Sequence, residues 1–215
     1  MKTEDLIGAL VADNAAPAKA LGSTMAVAVV GGAVASCLLF LGLVGLRPDF
    51  VAASGTSRFV LKFVECAALA IAAGLTAQAT LRPVVDRRLA RIGRIGLAAA
   101  VAVVAIGVIV ETVLVPAAEW RMRLVGSNWF HCLTLVPFLA APAFVVLMAA
   151  APQGASTMPG RTGAVIGITA GAIGAFFYAA NCTDDSPLFV ATWYTIAIAA
   201  TGLLGALIGR RALAW

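Results

Sequence analysis

Six long apolar stretches determine what this sequence can fold into. Their limits lie near residues 25–46, 59–81, 95–115, 132–151, 163–180 and 188–208. About 20 apolar residues in helical form are needed to cross the hydrocarbon core of a bilayer, where each backbone polar group must be hydrogen-bonded within its own helix. The sequence therefore predicts an all-α, polytopic membrane protein built as a bundle of six transmembrane helices.

The overall composition agrees with this fold class. Of the 215 residues, 62% are hydrophobic and only 12% are charged, and the mean hydropathy is +1.01. A soluble domain of this length cannot bury so much apolar surface. The second stretch contains Lys62 and Glu65, which share a helix face at a spacing of three residues, so we expect these two side chains to pair near one end of the helix.

Lysine and arginine residues are distributed unequally between the two sides of the predicted bundle. One side, which includes both termini, carries Lys2, Lys19, Arg82, Arg87, Arg88, Arg91, Arg94, Arg161, Arg210 and Arg211. The other side carries Arg47, Arg58, Arg121 and Arg123. Because positively charged loops stay in the cytoplasm, we expect the N- and C-termini to be cytoplasmic.

The first residues form a region of their own. We expect residues 1–24 to be a cytoplasmic segment with a short amphipathic helix, and residues 25–215 to form the transmembrane domain. The apolar stripe of the short helix comprises Leu6, Ile7, Leu10 and Val11. Its polar side is acidic, whereas helices that lie on membranes usually have a basic one. A partner protein and the bilayer surface are both candidates to receive this stripe.

Two features inside the predicted helices have alternative interpretations. Glu111 lies about one turn inside the outer end of the third helix, either as an interfacial acid or as a buried partner of an outer site. Gly163, Gly167 and Gly171 recur at four-residue spacing in the fifth helix. This spacing predicts close packing against a neighbouring helix.

The four cysteines differ in their predicted depth. Cys37 and Cys66 lie inside helices one and two among small and aliphatic neighbours, where a cysteine acts as a small hydrophobic residue. Cys132 opens the fourth helix and Cys182 lies in the loop between the fifth and sixth. The predicted topology therefore brings Cys132 and Cys182 to the same outer boundary of the membrane, in an oxidising compartment.

Three interpretations of this outer pair remain open. A disulfide requires α carbons within about 7 Å. A zinc or copper site would combine His131 with Cys132 and Cys182, and with Asp184 or Asp185. The third interpretation is two unrelated interfacial thiols. The absence of a C-x-x-C spacing disfavours a thioredoxin-like catalyst.

The sequence resembles a known family of membrane proteins. The segments that carry the resemblance are MKTEDLIGALVADN before the first helix, LRPDF after it, the arginine-rich inner loop, the cysteine that opens helix four, CTDDSPLF with Trp193 and Tyr194, and a terminal GRR. They resemble the six-helix negative regulators of sigma factor F, bacterial inner-membrane anti-sigma factors formerly classed as a domain of unknown function. The resemblance runs nearly from end to end.

The resemblance implies a multi-pass inner-membrane regulator that holds an extracytoplasmic-function sigma factor until envelope stress arrives. The paired outer cysteines of the family fall on Cys132 and Cys182, and the sigma factor would dock on the N-terminal stripe. Oxidation or metal capture at the pair would shift helix four against helices five and six and so release the sigma factor. No direct contact with nucleic acid is implied.

Two other functional classes are weaker. A small six-helix transporter or channel needs polar groups along a path across the membrane, but the predicted midplane is mostly Ala, Val, Leu, Ile and Gly, with Gln78 as an exception. An enzyme needs acid-base groups, and the chain has one histidine and no clustered intramembrane acids. We therefore expect a regulator without enzymatic activity.

Overall fold

The structure, a computed structural model, describes residues 3, 4 and 21–214. The described chain is helical and contains no strand. Its helices are α1 (Leu21–Leu43), α2 (Phe50–Ser54), α3 (Ser57–Thr80), α4 (Arg87–Leu114), α5 (Ala117–Val125), α6 (Trp129–Ala150), α7 (Pro159–Tyr178) and α8 (Pro187–Ala212). The predicted N-terminal stripe of Leu6, Ile7, Leu10 and Val11 lies outside the described residues.

Six of these helices are long and apolar enough to cross a membrane, namely α1, α3, α4, α6, α7 and α8. The predicted all-α fold with six candidate spans is therefore confirmed. The short helices α2 and α5 were not predicted, because neither is long enough to show a periodic pattern of its own. The direction in which the bundle crosses the membrane stays a prediction.

Local signals in the sequence explain where several helices begin. The Thr56 hydroxyl accepts a hydrogen bond from the Phe59 amide at 3.4 Å and so caps α3. One carboxylate oxygen of Asp86 accepts hydrogen bonds from the backbone amides of Arg88 and Leu89, both at 3.1 Å, and so caps α4. Proline opens both α7 and α8, where the ring costs no hydrogen bond and presets the helical φ.

Helix α7 occupies the centre of the bundle. It packs against α8, α6, α3 and α1, and 61% of its span is buried. Helix α4 lies at the periphery, packed mainly on α3, and only 11% of its span is buried. The surface of α4 is therefore left for lipid.

Glycines bring α7 and α8 into close contact. A β carbon on Gly163 would collide with the carbonyl oxygen of Gly205, and one on Gly167 with the carbonyl oxygen of Thr201. A side chain on Gly171 would collide with the Thr201 hydroxyl. The expected packing role of the glycine series is confirmed, since only residues without a β carbon allow the two backbones to approach this closely.

The two ends of the bundle contain different kinds of residues. We define the rim as residues 44–56, 115–128 and 179–186, and the arginine end as residues 81–94, 151–161 and 209–214. An apolar cluster near the rim, the rim core, includes Phe40, Val136, Tyr178, Phe189 and Tyr194. A second cluster lies toward the arginine end, and Phe177 packs against both.

Candidate functional site

The two predicted outer cysteines lie together inside the rim core. Cys132, in the first turn of α6, and Cys182, in the loop before α8, are each 0% exposed. Cys66 of α3 belongs to the same cluster and is 4% exposed. All four cysteines of the chain are free thiols. The sequence thus identified two members of a buried three-thiol cluster and assigned the third, Cys66, to packing alone.

The backbone around Cys182 is held on several sides. Its carbonyl oxygen accepts hydrogen bonds from the Lys62 ammonium at 2.8 Å and from the Arg47 guanidinium at 3.1 Å. Its amide donates to the Tyr178 carbonyl at 3.0 Å, and its thiol donates to the Asp184 carbonyl at 3.7 Å. Burial raises the pKa of the Cys182 thiol. The thiol is therefore uncharged at neutral pH, and reaction requires the rim to open.

Asp185 neutralises two buried cations beside Cys182. One carboxylate oxygen lies 2.5 Å from the Lys62 nitrogen, and the other lies 2.9 Å from an Arg47 nitrogen. Arg47 also binds Asp49, which raises the pKa of the guanidinium and lowers the pKa of the Asp49 carboxyl. Both cations lie over the ring of Phe59. Lys62 and Arg47 are consequently paired as well as buried, as buried charges must be.

The expected pair between Lys62 and Glu65 is wrong. Lys62 is 1% exposed, and its flexible side chain extends toward the rim and binds Asp185. Glu65 is 7% exposed and forms no ion pair with any described residue. Spacing along one helix cannot reveal this outcome, because the competing acid comes from a loop 120 or more residues later in the chain.

Asp184 caps the fourth candidate span. Its carboxylate accepts hydrogen bonds from the amides of Ser127 and Asn128, at 3.0 and 2.8 Å, just before α6 begins. Gly126 precedes them with a φ of +60°. A β carbon there would lie 2.8 Å from the Asp184 carboxyl carbon and 2.5 Å from the ring of Phe189. The turn therefore requires glycine for both its conformation and its space.

Glu111 is a buried partner of the rim rather than an interfacial acid. It is 2% exposed. Its carboxylate accepts a hydrogen bond from the Ser186 hydroxyl at 2.6 Å and one from the Leu188 amide at 3.1 Å, which caps α8. Arg123 and Arg58 lie 3.2 and 3.6 Å from the other oxygen. One carboxylate thus joins α4 to the start of α8 and to two rim cations.

The loop of residues 179–186, which we call the closing loop, is connected to every candidate span. Its hydrogen-bond partners elsewhere are Gly45 and Arg47 after α1, Lys62 in α3, Glu111 in α4, and Ser127 and Asn128 before α6. Helices α7 and α8 continue directly from its two ends. A change in the conformation of this loop therefore acts on all six spans at once.

The residues named as a zinc or copper site do not converge on one point. His131 is on the exposed side of α6, whereas Cys132 is fully buried. The carboxylates of Asp184 and Asp185 bind backbone amides and cations of the protein. Within the described part of the chain, no group of three or more His, Cys, Asp or Glu side chains is arranged to hold a metal ion.

Sequence reasoning missed several residues that build this site. Lys62 and Asn128 were not assigned to it, although both contact the closing loop. A lysine inside an apolar stretch needs an acid, and the pair Asp184 and Asp185 was the available signal. Nothing in the sequence marks Asn128, whose role depends on how the loops meet.

Comparisons with known proteins identify the family of this chain. The sequence pattern of the family described as "Negative regulator of sigma F" matches residues 10–215. The chain is also similar to the Anti-sigma-F factor NrsF of Caulobacter vibrioides (strain NA1000 / CB15N), with 30% identity over 218 residues that cover 100% of both proteins. No solved structure matches it. The chain belongs to the negative regulator of sigma F family.

Proposed function

We propose that this protein is an inner-membrane anti-sigma factor that holds an extracytoplasmic-function sigma factor and releases it when Cys132 and Cys182 are oxidised. Family membership over residues 10–215 supports the anti-sigma role, and favours it over a transporter, a channel or an enzyme. The observation that carries the sensing role is the burial of both thiols in one cluster, with Cys182 in the closing loop, which is connected to all six spans, and Cys132 in the first turn of α6.

The chemical step is the formation of a disulfide by hydrogen peroxide. The two thiols lose their hydrogens and two electrons, a sulfur–sulfur bond forms, and the peroxide is reduced to two molecules of water. The thiols are buried, so reagents reach them only when the rim opens. Such gating makes the sensor insensitive to brief, mild exposure.

The oxidised pair would act on the bundle through the closing loop. A bond between Cys132 and Cys182 ties α6 to the backbone that binds Lys62 and Arg47. The bundle then shifts between two packing states, and the shift can be no larger than the difference in stability that the new bond creates between them. As a result, the sigma factor is released at the opposite face of the membrane.

Replacing each thiol tests the sensor. Cys132→Ser and Cys182→Ser keep nearly the same volume, so the protein should still insert and bind the sigma factor, but peroxide should no longer induce sigma-dependent transcription. The double variant should be no worse than either single one, because the two residues act as a unit. Cys37→Ser is the matched control, since Cys37 lies outside the rim core. A parental response in the Cys132 and Cys182 variants would refute the sensor.

The proposed mechanism requires the rim to face the periplasm and the arginine end to face the cytoplasm. The charge difference between the two ends supports this orientation. Reporter fusions after Asp49, Gly126 and Asp185 should be periplasmic, whereas fusions after Asp86 and Thr157 should be cytoplasmic. One fusion on the opposite side would invalidate the orientation or the number of spans.

The N-terminal stripe is the proposed docking element for the sigma factor. Leu6→Asp or Leu10→Asp places a carboxylate in an apolar contact, which costs about 1–3 kcal/mol, or about tenfold or more in affinity. Ala12→Asp is the matched control, because residue 12 lies on the opposite side of a helix from the stripe. A pulldown of the sigma factor measures the effect. Parental binding by both Leu variants would exclude this docking element.

A further inference from the structure

A lateral cleft opens between α3, α4 and α8. It has a volume of about 580 Å³, which falls within the range of about 300–1,000 Å³ for small-molecule sites. Its walls are formed mostly by apolar side chains, among them Leu69, Val104, Ala105 and Ile198. The cleft exists because α4 packs mainly on α3 and contacts α8 mainly near the first turns of α8.

One acidic side chain, Glu65, lines this apolar cleft. Glu65 is 93% buried, and it has neither an ion pair nor a hydrogen bond with any described residue. The other acid buried in a span, Glu111, binds four partners. An unpaired acid in an apolar environment is costly, and within membrane spans such groups mark functional sites.

The position of Glu65 limits what can bind it. Glu65 follows the first residue of α3, Ser57, by eight positions, which is about 12 Å along a helix. If the amine of a bilayer phospholipid reached this depth, its phosphate would enter the hydrocarbon region and lose its hydration. A ligand that enters from the hydrocarbon region must therefore be mostly apolar, with one small polar group.

We infer that this cleft binds a single-chain amphiphilic amine, with its ammonium group on Glu65 and its hydrocarbon chain along α4 and α8. An ammonium fits better than a hydroxyl, because it forms an ion pair with the carboxylate as well as donating hydrogen bonds. The cleft also includes Cys66 and Tyr194 of the rim core. The bound amine therefore contacts the core that surrounds the thiols, although its binding does not depend on the proposed function.

A photoreactive dodecylamine that carries a diazirine in its chain tests the site in phosphatidylcholine nanodiscs. The matched probe is the methyl ether with the same chain and diazirine. The amine should label peptides of α4 and α8 at least tenfold more than the ether, and excess dodecylamine should compete. Glu65→Leu should reduce amine labelling at least tenfold and leave ether labelling unchanged. Glu119→Gln is the control, because this acid is paired with Arg123 at the rim.

A second pair of variants locates the bound chain. Glu65 also borders a smaller cleft of about 320 Å³ that includes Ala68 of α3. Ala105→Phe fills only the larger cleft and should abolish amine labelling, whereas Ala68→Phe should not. Equal labelling by the two probes, unchanged labelling of Glu65→Leu, or a block by Ala68→Phe alone would each overturn the proposal. The Ala105→Phe result decides the matter if Glu65→Leu fails to insert.

Discussion

The rim and the arginine end are held together by different forces. At the rim, buried charges join separate helices, as in the binding of Lys62 to Asp185 and of Glu111 to the start of α8. At the arginine end, α7 and α8 meet where Gly209 approaches the carbonyl oxygen of Pro159. Among the described residues there, one ion pair forms, between Arg82 and Asp86. The other described arginines of this end form no ion pair and are available to lipid headgroups, which attract such residues.

Because of this difference, we expect the two ends of the bundle to respond differently to a change in conformation. Paired charges in an apolar environment have few alternative arrangements, because any unpaired state leaves a buried ion. Glycine contacts only require that two backbones stay close, and neighbouring helices can slide while keeping them. If the proposed release mechanism operates, the rim is the end whose arrangement we expect to switch between distinct states, and the arginine end is the one that we expect to follow by small displacements.

The largest expected effect is on the rim charges. Asp185→Ala leaves Lys62 buried without a carboxylate, so the free energy of unfolding should fall by about 3–5 kcal/mol. Adding Lys62→Met should recover part of this loss, since the unpaired charge is then gone. Asp49→Ala is the matched control and should have little effect, because its side chain is 55% exposed. Unfolding in mixed micelles by titration with dodecyl sulfate measures these changes; equal effects of the two Asp variants would contradict the comparison.

A smaller effect is expected from crowding the glycine contact between α7 and α8. Gly167→Leu should lower the free energy of unfolding by about 1–3 kcal/mol, because its side chain meets the backbone of α8. Gly42→Leu is the control, since nothing lies within 4 Å of the corresponding β carbon. Titration with dodecyl sulfate in mixed micelles measures this change as well. If Gly167→Leu were as stable as the parent, close glycine packing would not hold α7 and α8 together.

The smallest effect concerns pH at the exposed edge of the rim. Arg47 lowers the pKa of Asp49 below its ordinary value of 3.8, so the pair stabilises the fold above that value and loses its contribution as the pH falls through the lower, folded-state pKa. The parent should therefore unfold at a slightly higher temperature than Asp49→Asn at pH 7, and the difference should shrink at pH 3. A difference that grows with acidity would show that the pair is not the cause.

The sequence predicts the elements of this fold much better than their contacts. Hydropathy locates all six spans, since each is long and apolar, and the glycine spacing predicts the packing of α7. The pairing of Lys62 with Asp185 depends on how the rim loops meet, which no local pattern encodes. The same reason explains why Glu111 had two interpretations and why Cys66 was separated from Cys132.

The connections of the closing loop also determine when the bundle can be completed during synthesis. Lys62 is made 120 residues before Cys182, whose carbonyl it binds, and Asp185 emerges from the ribosome still later. Until then the helix that contains Lys62 has no acid to neutralise its ammonium, and a lone charge is poorly tolerated inside a bilayer. The first four spans pack as two pairs, α1 with α6 and α3 with α4, and these pairs are joined mainly through α7 and the loop behind it. The two pairs are therefore expected to come together only after the fifth span is in place.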